Sequence, residues 1–209
     1  IVLRAPGTNC DEETATAWVH AGAEVETWHV GRLLEQPHAL DAFQILTIPG
    51  GFSYGDDLGA GRIFATRLGI VLEDALRRLH ERGGLVLGIC NGFQVLCEAH
   101  LLPGALVRNQ SLHFVCRDQG LRVENTTTAW TAGFEVGDEI VVPVKNGEGS
   151  YIADDATLDM LEGEGRVAFR YIGGNPNGSR RDIAGISNAR GNVVGLMPHP
   201  EHAIAPLTG

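Results

Sequence analysis

The sequence predicts an α/β fold: a mostly parallel, doubly wound sheet with helices on both faces and a smaller antiparallel extension. Three observations carry that expectation. The apolar runs Ile1–Arg4, Ile45–Ile48 and Leu85–Ile89 lack polar alternation, as strands buried on both faces do. Helical periodicity follows each run, which is the grammar of a parallel sheet. Beyond residue 110 the pattern changes to strand-like runs separated by Gly, Asn and Asp turns.

Taken in order, Ile1–Arg4 reads as a buried strand ended by Pro6-Gly7. Asn9 is placed to cap a helix whose first turn, Asp11, Glu12 and Glu13, suits the positive end of the helix dipole. Ala15, Trp18, Val19 and Ala21 keep helical spacing until Gly22 ends the helix. Val25–Val30 alternates weakly, as an outer strand does. Ile45–Ile48 is a buried strand stopped by Pro49-Gly50-Gly51. Phe64, Leu68, Val71, Leu72, Ala75, Leu76 and Leu79 trace one face of a long helix closed by Gly83-Gly84. Leu85–Ile89 is the third buried strand, and a helix from Asn91 to Ala99 begins at once. Leu112–Arg117, Ile140–Val144, Val167–Ile172, Ile183–Ile186 and Val193–Met197 supply the strands of the extension.

A chain of 209 residues suits one domain spanning 1–209. It buries roughly 70% of its unfolded surface and needs no disulfide or metal staple. With 16 basic and 26 acidic side chains its net charge is −10, which argues against a binder of nucleic acid or anionic membrane, since both need a basic face. No apolar stretch approaches the ~18 residues of a membrane span. Cysteines at 10, 90, 97 and 116 form no C-x-x-C pair, so zinc ribbons and thioredoxin motifs fit poorly and a reducing, cytoplasmic compartment is expected. Lys145 is the only lysine and no P-loop is present.

Two segments compete for a nucleophile. Gly51-Phe52-Ser53-Tyr54-Gly55 matches G-x-S-x-G, and Gly88-Ile89-Cys90-Asn91-Gly92 is its thiol counterpart. A nucleophile elbow needs a strand running into the nucleophile and a helix leaving it. Cys90 has both. Ser53 has neither, because Pro49-Gly50-Gly51 breaks the strand early and Gly59 and Gly61 follow in loop. A helix N-terminus also favours a thiolate. For a base, His199 lies just past the last strand in Met197-Pro198-His199-Pro200-Glu201. Extended geometry enforced by the prolines puts His199 and Glu201 on one face, so the carboxylate can orient the imidazole. His199-x-x-His202 is also a weak metal pair, and no metal site is assigned. Backbone N–H groups of Gly51 and Phe52, with that of Asn91, are candidates for an oxyanion hole. The Gly173–Ser179 run lacks the strand-to-helix context and lysine of a phosphate loop, and reads as a turn or a substrate-side loop.

Together these residues resemble the class I (triad) glutamine amidotransferases, a flavodoxin-like fold. Pro6-Gly7-Thr8-Asn9-Cys10-Asp11, Pro49–Asp56, Arg108–Ser111, Gly147-Glu148-Gly149 and Asn175–Ser179 narrow the resemblance. They are similar to glutaminase subunits of phosphoribosylformylglycinamidine synthases, which act in purine biosynthesis. The resemblance implies Cys90 as nucleophile, His199 as base and acid, and Glu201 as its orienting carboxylate. It implies Gln94, Ser111, His113 and Phe114 as glutamine-binding residues. It also implies no cofactor in this chain, ATP and magnesium on a larger synthetase subunit, and a small bridging subunit. Asn146 and Ser150 stand where the family usually has His and Arg, in a loop expected to face the partner. A stand-alone cysteine hydrolase or peptidase, the glutaminase of another amidotransferase, and a non-catalytic regulatory subunit are the competing readings.

Overall fold

The computed structural model describes residues 1–56 and 61–205, without the side chains of 55–56 and 67–73. Gly59 and the side chains of Leu68, Val71 and Leu72 therefore lie outside the described residues.

The first half alternates strand and helix. β1 (Val2–Arg4), α1 (Asp11–His20), β2 (Thr27–His29), α2 (Val30–Glu35) and β3 (Ile45–Ile48) are followed by α3 (Arg62–Glu81), β4 (Leu85–Ile89) and α4 (Asn91–Glu98). The second half contains β5 (Ala105–Val107), β6 (Val115–Val123), β7 (Glu139–Asn146), β8 (Ser150–Ile152), α5 (Asp155–Gly163), β9 (Val167–Ile172), β10 (Ile183–Ser187) and β11 (Val193–Leu196).

Among the described residues, nine strands form one sheet in the order β2-β1-β3-β4-β11-β10-β9-β6-β7. Neighbours from β2 to β11 pair parallel, and those from β11 to β7 pair antiparallel. β11 thus joins the parallel half, not the extension, because its register Leu196↔Ile89 runs alongside β4. β2 is an outer strand, as its weak alternation suggests.

Side-chain alternation assigns the faces. Leu87, Ile89, Val194 and Leu196 line one side of the sheet together with Thr14 and Trp18 of α1. Gly88 and Gly195 point the other way, where a Cβ would collide with Leu96 and Phe93 of α4. Glycine at these two strand positions lets α4 seat directly on the sheet, so helices cover both faces.

Four local expectations change. Cys10, not Asn9, occupies the N-cap of α1, and it caps without a side-chain bond. Val19 is exposed, while Trp18 Nε1 donates to Thr47 Oγ1 at 2.9 Å and ties α1 to β3. Leu112 has φ +61° and precedes the strand, which starts at Val115 and runs on to Val123. The β5–β8 pair and α5 have no counterpart in the sequence reading. α5 nevertheless starts on a conventional cap, Asp154 Oδ1 accepting from the Thr157 N–H at 2.7 Å.

Candidate active site

β4 ends on Ile89 and α4 begins at Asn91, leaving Cys90 alone to turn the chain. It does so at φ +51°, ψ −105°, a conformation rare for a residue with a Cβ. The turn is held at both ends. The Cys90 N–H donates to Leu196 O at 2.8 Å, and the Cys90 carbonyl accepts from the Phe93 N–H at 3.0 Å. Crowding explains the flanking glycines. A Cβ on Gly92 would lie 1.9 Å from the Ile48 carbonyl oxygen, and one on Gly88 2.5 Å from Leu96 Cδ1. The strain at Cys90 points its thiol out of the sheet edge at the head of a helix.

The histidine comes from the neighbouring strand. Because Leu196 pairs with Ile89, the segment after β11 emerges beside Cys90. The His199 N–H donates to Pro143 O at 2.8 Å, and its Nδ1 lies 2.6 Å from Glu201 Oε1. Both side chains are buried, at 2% and 4% exposure. Burial alone would lower the His199 pKa. The Cys10 and Cys90 thiols beside the ring and the Glu201 carboxylate outweigh it and raise the pKa to about 12. At neutral pH the ring is therefore held as imidazolium, ready to donate a proton.

Two motifs clasp each other to shape the candidate oxyanion loop. The Phe52 N–H donates to Gly7 O at 2.9 Å, and the Tyr54 N–H to Pro6 O at 2.6 Å. Gly7, at φ +90°, permits this approach, since a Cβ there would sit 2.0 Å from the Phe52 oxygen. The Phe52 N–H is thereby engaged within the chain. The Gly51 N–H has no protein acceptor among the described residues and is the better placed donor on that loop. Asn91 couples loop to elbow, its Oδ1 accepting from the Ser53 N–H at 3.2 Å and its Nδ2 donating to Gln94 Oε1 at 2.8 Å. Ser53 itself is buried at the start of a 3-10 turn, away from any elbow.

Cys90 opens into a cavity of about 490 Å³ bordered by Gly51, Gln94, Arg108, His113, Phe114 and Glu148. Of the sequence-assigned glutamine residues, Gln94, His113 and Phe114 reach this cavity. Ser111 does not line it, and its Oγ instead accepts from the His113 N–H at 3.3 Å. The reading of the residues missed Arg108, Lys145 and Glu148 as lining groups. The signal for Arg108 and Glu148 was the presence of both charge signs within motifs already noted, suited to an amino acid's carboxylate and ammonium, while Lys145 was noted only as the sole lysine.

Buried amides fix the two loops around the cavity. Asn109 Nδ2 donates to His113 O at 3.0 Å and Asn146 O at 2.8 Å, and its Oδ1 accepts from the Gly149 N–H at 2.9 Å. The Gly173–Ser179 run braces them from behind, with the Gln110 N–H donating to Asn177 O and Ser179 Oγ to Gly149 O. Asn146 and Ser150 do not face outward as expected. Asn146 ends β7 and Ser150 begins β8, and both are buried within the chain.

A family model described as "CobB/CobQ-like glutamine amidotransferase domain" matches residues 1–208. The phosphoribosylformylglycinamidine synthase subunit PurQ of Streptomyces avermitilis is 56% identical over 100% of this chain and 89% of its own length. That of Nocardia farcinica is 58% identical with the same coverage. A chain of the structure of PurLQS from Thermotoga maritima superimposes with a TM-score of 0.85 at 39% identity, covering 100% of this chain and 90% of that one.

Proposed function

The chain belongs to the CobB/CobQ-like glutamine amidotransferase domain family, and from that premise we propose that Cys90, His199 and Glu201 hydrolyse glutamine to glutamate and ammonia. Its function is that of the glutaminase subunit of phosphoribosylformylglycinamidine synthase, in purine biosynthesis. The observation that carries the mechanism is the strained Cys90 elbow one strand away from the buried His199–Glu201 pair.

The steps follow from the groups. Arg108 and Glu148 hold the glutamine α-carboxylate and α-ammonium in the cavity beside Cys90. Cys90 Sγ attacks the side-chain amide carbon, and the Gly51 and Asn91 N–H groups receive the oxyanion. His199 gives its proton to the departing nitrogen, releasing ammonia and leaving a glutamyl thioester. The now neutral imidazole takes a proton from water, which attacks the thioester and frees glutamate and Cys90.

The chain works within a multi-subunit complex. ATP and magnesium belong to the larger synthetase subunit, which consumes the ammonia, and a small subunit bridges the two. Phe52, Leu112 and Phe114 stand exposed at the mouth of the cavity, and the Phe52 and Phe114 rings lie 6.5 Å apart. An apolar rim of this kind suits a partner that keeps water from the ammonia. We place the work in the cytoplasm, where free thiols such as these four persist. Among the described residues no helix is long and apolar enough to cross a membrane.

A glutamine-shaped electrophile tests the site. It should label Cys90 alone near neutral pH, with excess glutamine suppressing the reaction and His199→Ala slowing it strongly. Peptide mapping that finds Cys10 labelled first, or labelling indifferent to glutamine, contradicts the assignment.

A further inference from the structure

Beside the triad lies a cluster that glutamine hydrolysis uses only in part. Cys10, His199, Glu201 and His202 each bring one donor atom within 4.8 Å of the others. Cys10 comes from the head of α1, and the other three from the turn after β11. Glu201 Oε1 lies 2.6 Å from His199 Nδ1 and 3.7 Å from His202 Nε2. Glu201 Oε2 and His202 Nε2 are buried without a hydrogen-bond partner among the described residues, and His199 Nε2 is likewise buried, with only the Cys10 and Cys90 thiols beside the ring. Buried orphans are rare, and these three atoms around one thiol form a set of nitrogen, oxygen and sulfur donors.

We propose that Cys10, His199, Glu201 and His202 form a binding site for a divalent transition metal of the zinc type, whose occupancy blocks glutamine hydrolysis. Zinc takes thiolate, imidazole and carboxylate donors tetrahedrally at about 2.0–2.3 Å, which sets donors about 3.3–3.8 Å apart. Donors as far apart as 4.8 Å need to close by about 1 Å to meet that geometry, and the 2.6 Å His199–Glu201 hydrogen bond gives way to the ion. Cys10 binds as thiolate and His199 as neutral imidazole, each releasing one proton to solvent, and His202 binds as neutral imidazole. His202 is also the outermost of the four, with 21% of its side chain exposed, and offers the ion a way in. A metal on His199 withdraws the base that the reaction needs. This inhibitory part rests on the triad reading, whereas binding of the ion does not.

Cobalt(II) titrated into the full chain separates the two parts. One ion should bind per chain with a thiolate-to-cobalt charge-transfer band, and zinc should displace it. Cys10→Ser should remove the band, and both Cys10→Ser and His202→Gln should weaken binding at least about tenfold. Cys90→Ser should keep the band. A band that survives Cys10→Ser, one lost in Cys90→Ser instead, or no stoichiometric binding overturns the site. With site occupancy established, zinc should lower wild-type glutamate release in the complex at least about tenfold. Cys10→Ser, compared with its own metal-free rate, should resist the same zinc concentration. Undiminished release at full occupancy overturns the inhibition, while glutamate release that is absent without metal counts against the triad reading alone.

Discussion

Cys90 and Ser53 sit in the same five-residue pattern, glycine at either end, yet in opposite physical situations. Cys90 is turned into a cavity by a positive φ between a strand and a helix. Ser53 Oγ is buried without a partner. Ser53→Ala should therefore leave thioester formation within about threefold of wild type and stability equal or higher, since it removes an unpaired polar atom. A loss approaching that of Cys90→Ala would count against the elbow. Glu201 favours the charged form of His199, so Glu201→Gln should lower the His199 pKa from its raised position, about 12. An NMR titration of the ring reads this directly, and an unmoved pKa would show that the carboxylate does not support the imidazolium. The grouping of Cys90, His199 and Glu201 was legible in the sequence because prolines and glycines constrain backbone, and backbone aims side chains. The engaged Phe52 N–H was not, since it depends on where Gly7 lies in space.

At the scale of elements, glycines divide into those that permit contact and those that only loosen a helix. Gly92→Ala forces a Cβ against the Ile48 carbonyl and should cost about 1–3 kcal/mol or more, read as a lowered melting temperature. Gly163 ends α5 with nothing within 4 Å of a would-be Cβ, so Gly163→Ala should stabilise by about 0.4–1 kcal/mol. Equal effects at the two positions would refute this packing. In the last turn of α5, Glu162 bridges Arg170 and Arg181. The Arg170 hydrogen bond leads in holding its pKa below the ordinary 4.5, with Arg181 adding to it. A depressed carboxylate contributes stability above its unfolded pKa and loses it as pH falls through the folded value. Glu162→Gln should thus melt slightly below wild type at pH 7, with the gap narrowing as pH falls below the ordinary 4.5, and solvent keeps that gap small. The buried strands were readable because burial on both faces leaves an unbroken apolar run. The three-residue strands β5 and β8 were not, because each exists only through the other, more than forty residues away. Asp154 signals α5 locally, but the Gly/Asn/Asp turns around it read equally as breaks between strands.

Across the whole molecule, the site gathers at one edge of the parallel half. The loops after β1, β3, β4 and β11 bring Gly7, Gly51, Cys90 and His199 together at the strands' C-terminal ends. Open parallel sheets bind their ligands at that edge. The antiparallel extension contributes a wall of the cavity through Lys145–Glu148, with the Lys145 carbonyl 3.5 Å from Cys90 Sγ, and this follows β6–β7 pairing that the sequence pattern alone could not register. With the thiol triad proposed on this chain and nucleotide chemistry proposed on its partner, the two activities of the complex should separate. The most direct test reconstitutes Cys90→Ala with the synthetase subunits and supplies either glutamine or ammonium. Glutamine-supported synthesis should vanish while ammonium-supported synthesis persists at the wild-type rate. Equal loss of both in an assembled complex would contradict the assignment of Cys90 to ammonia supply.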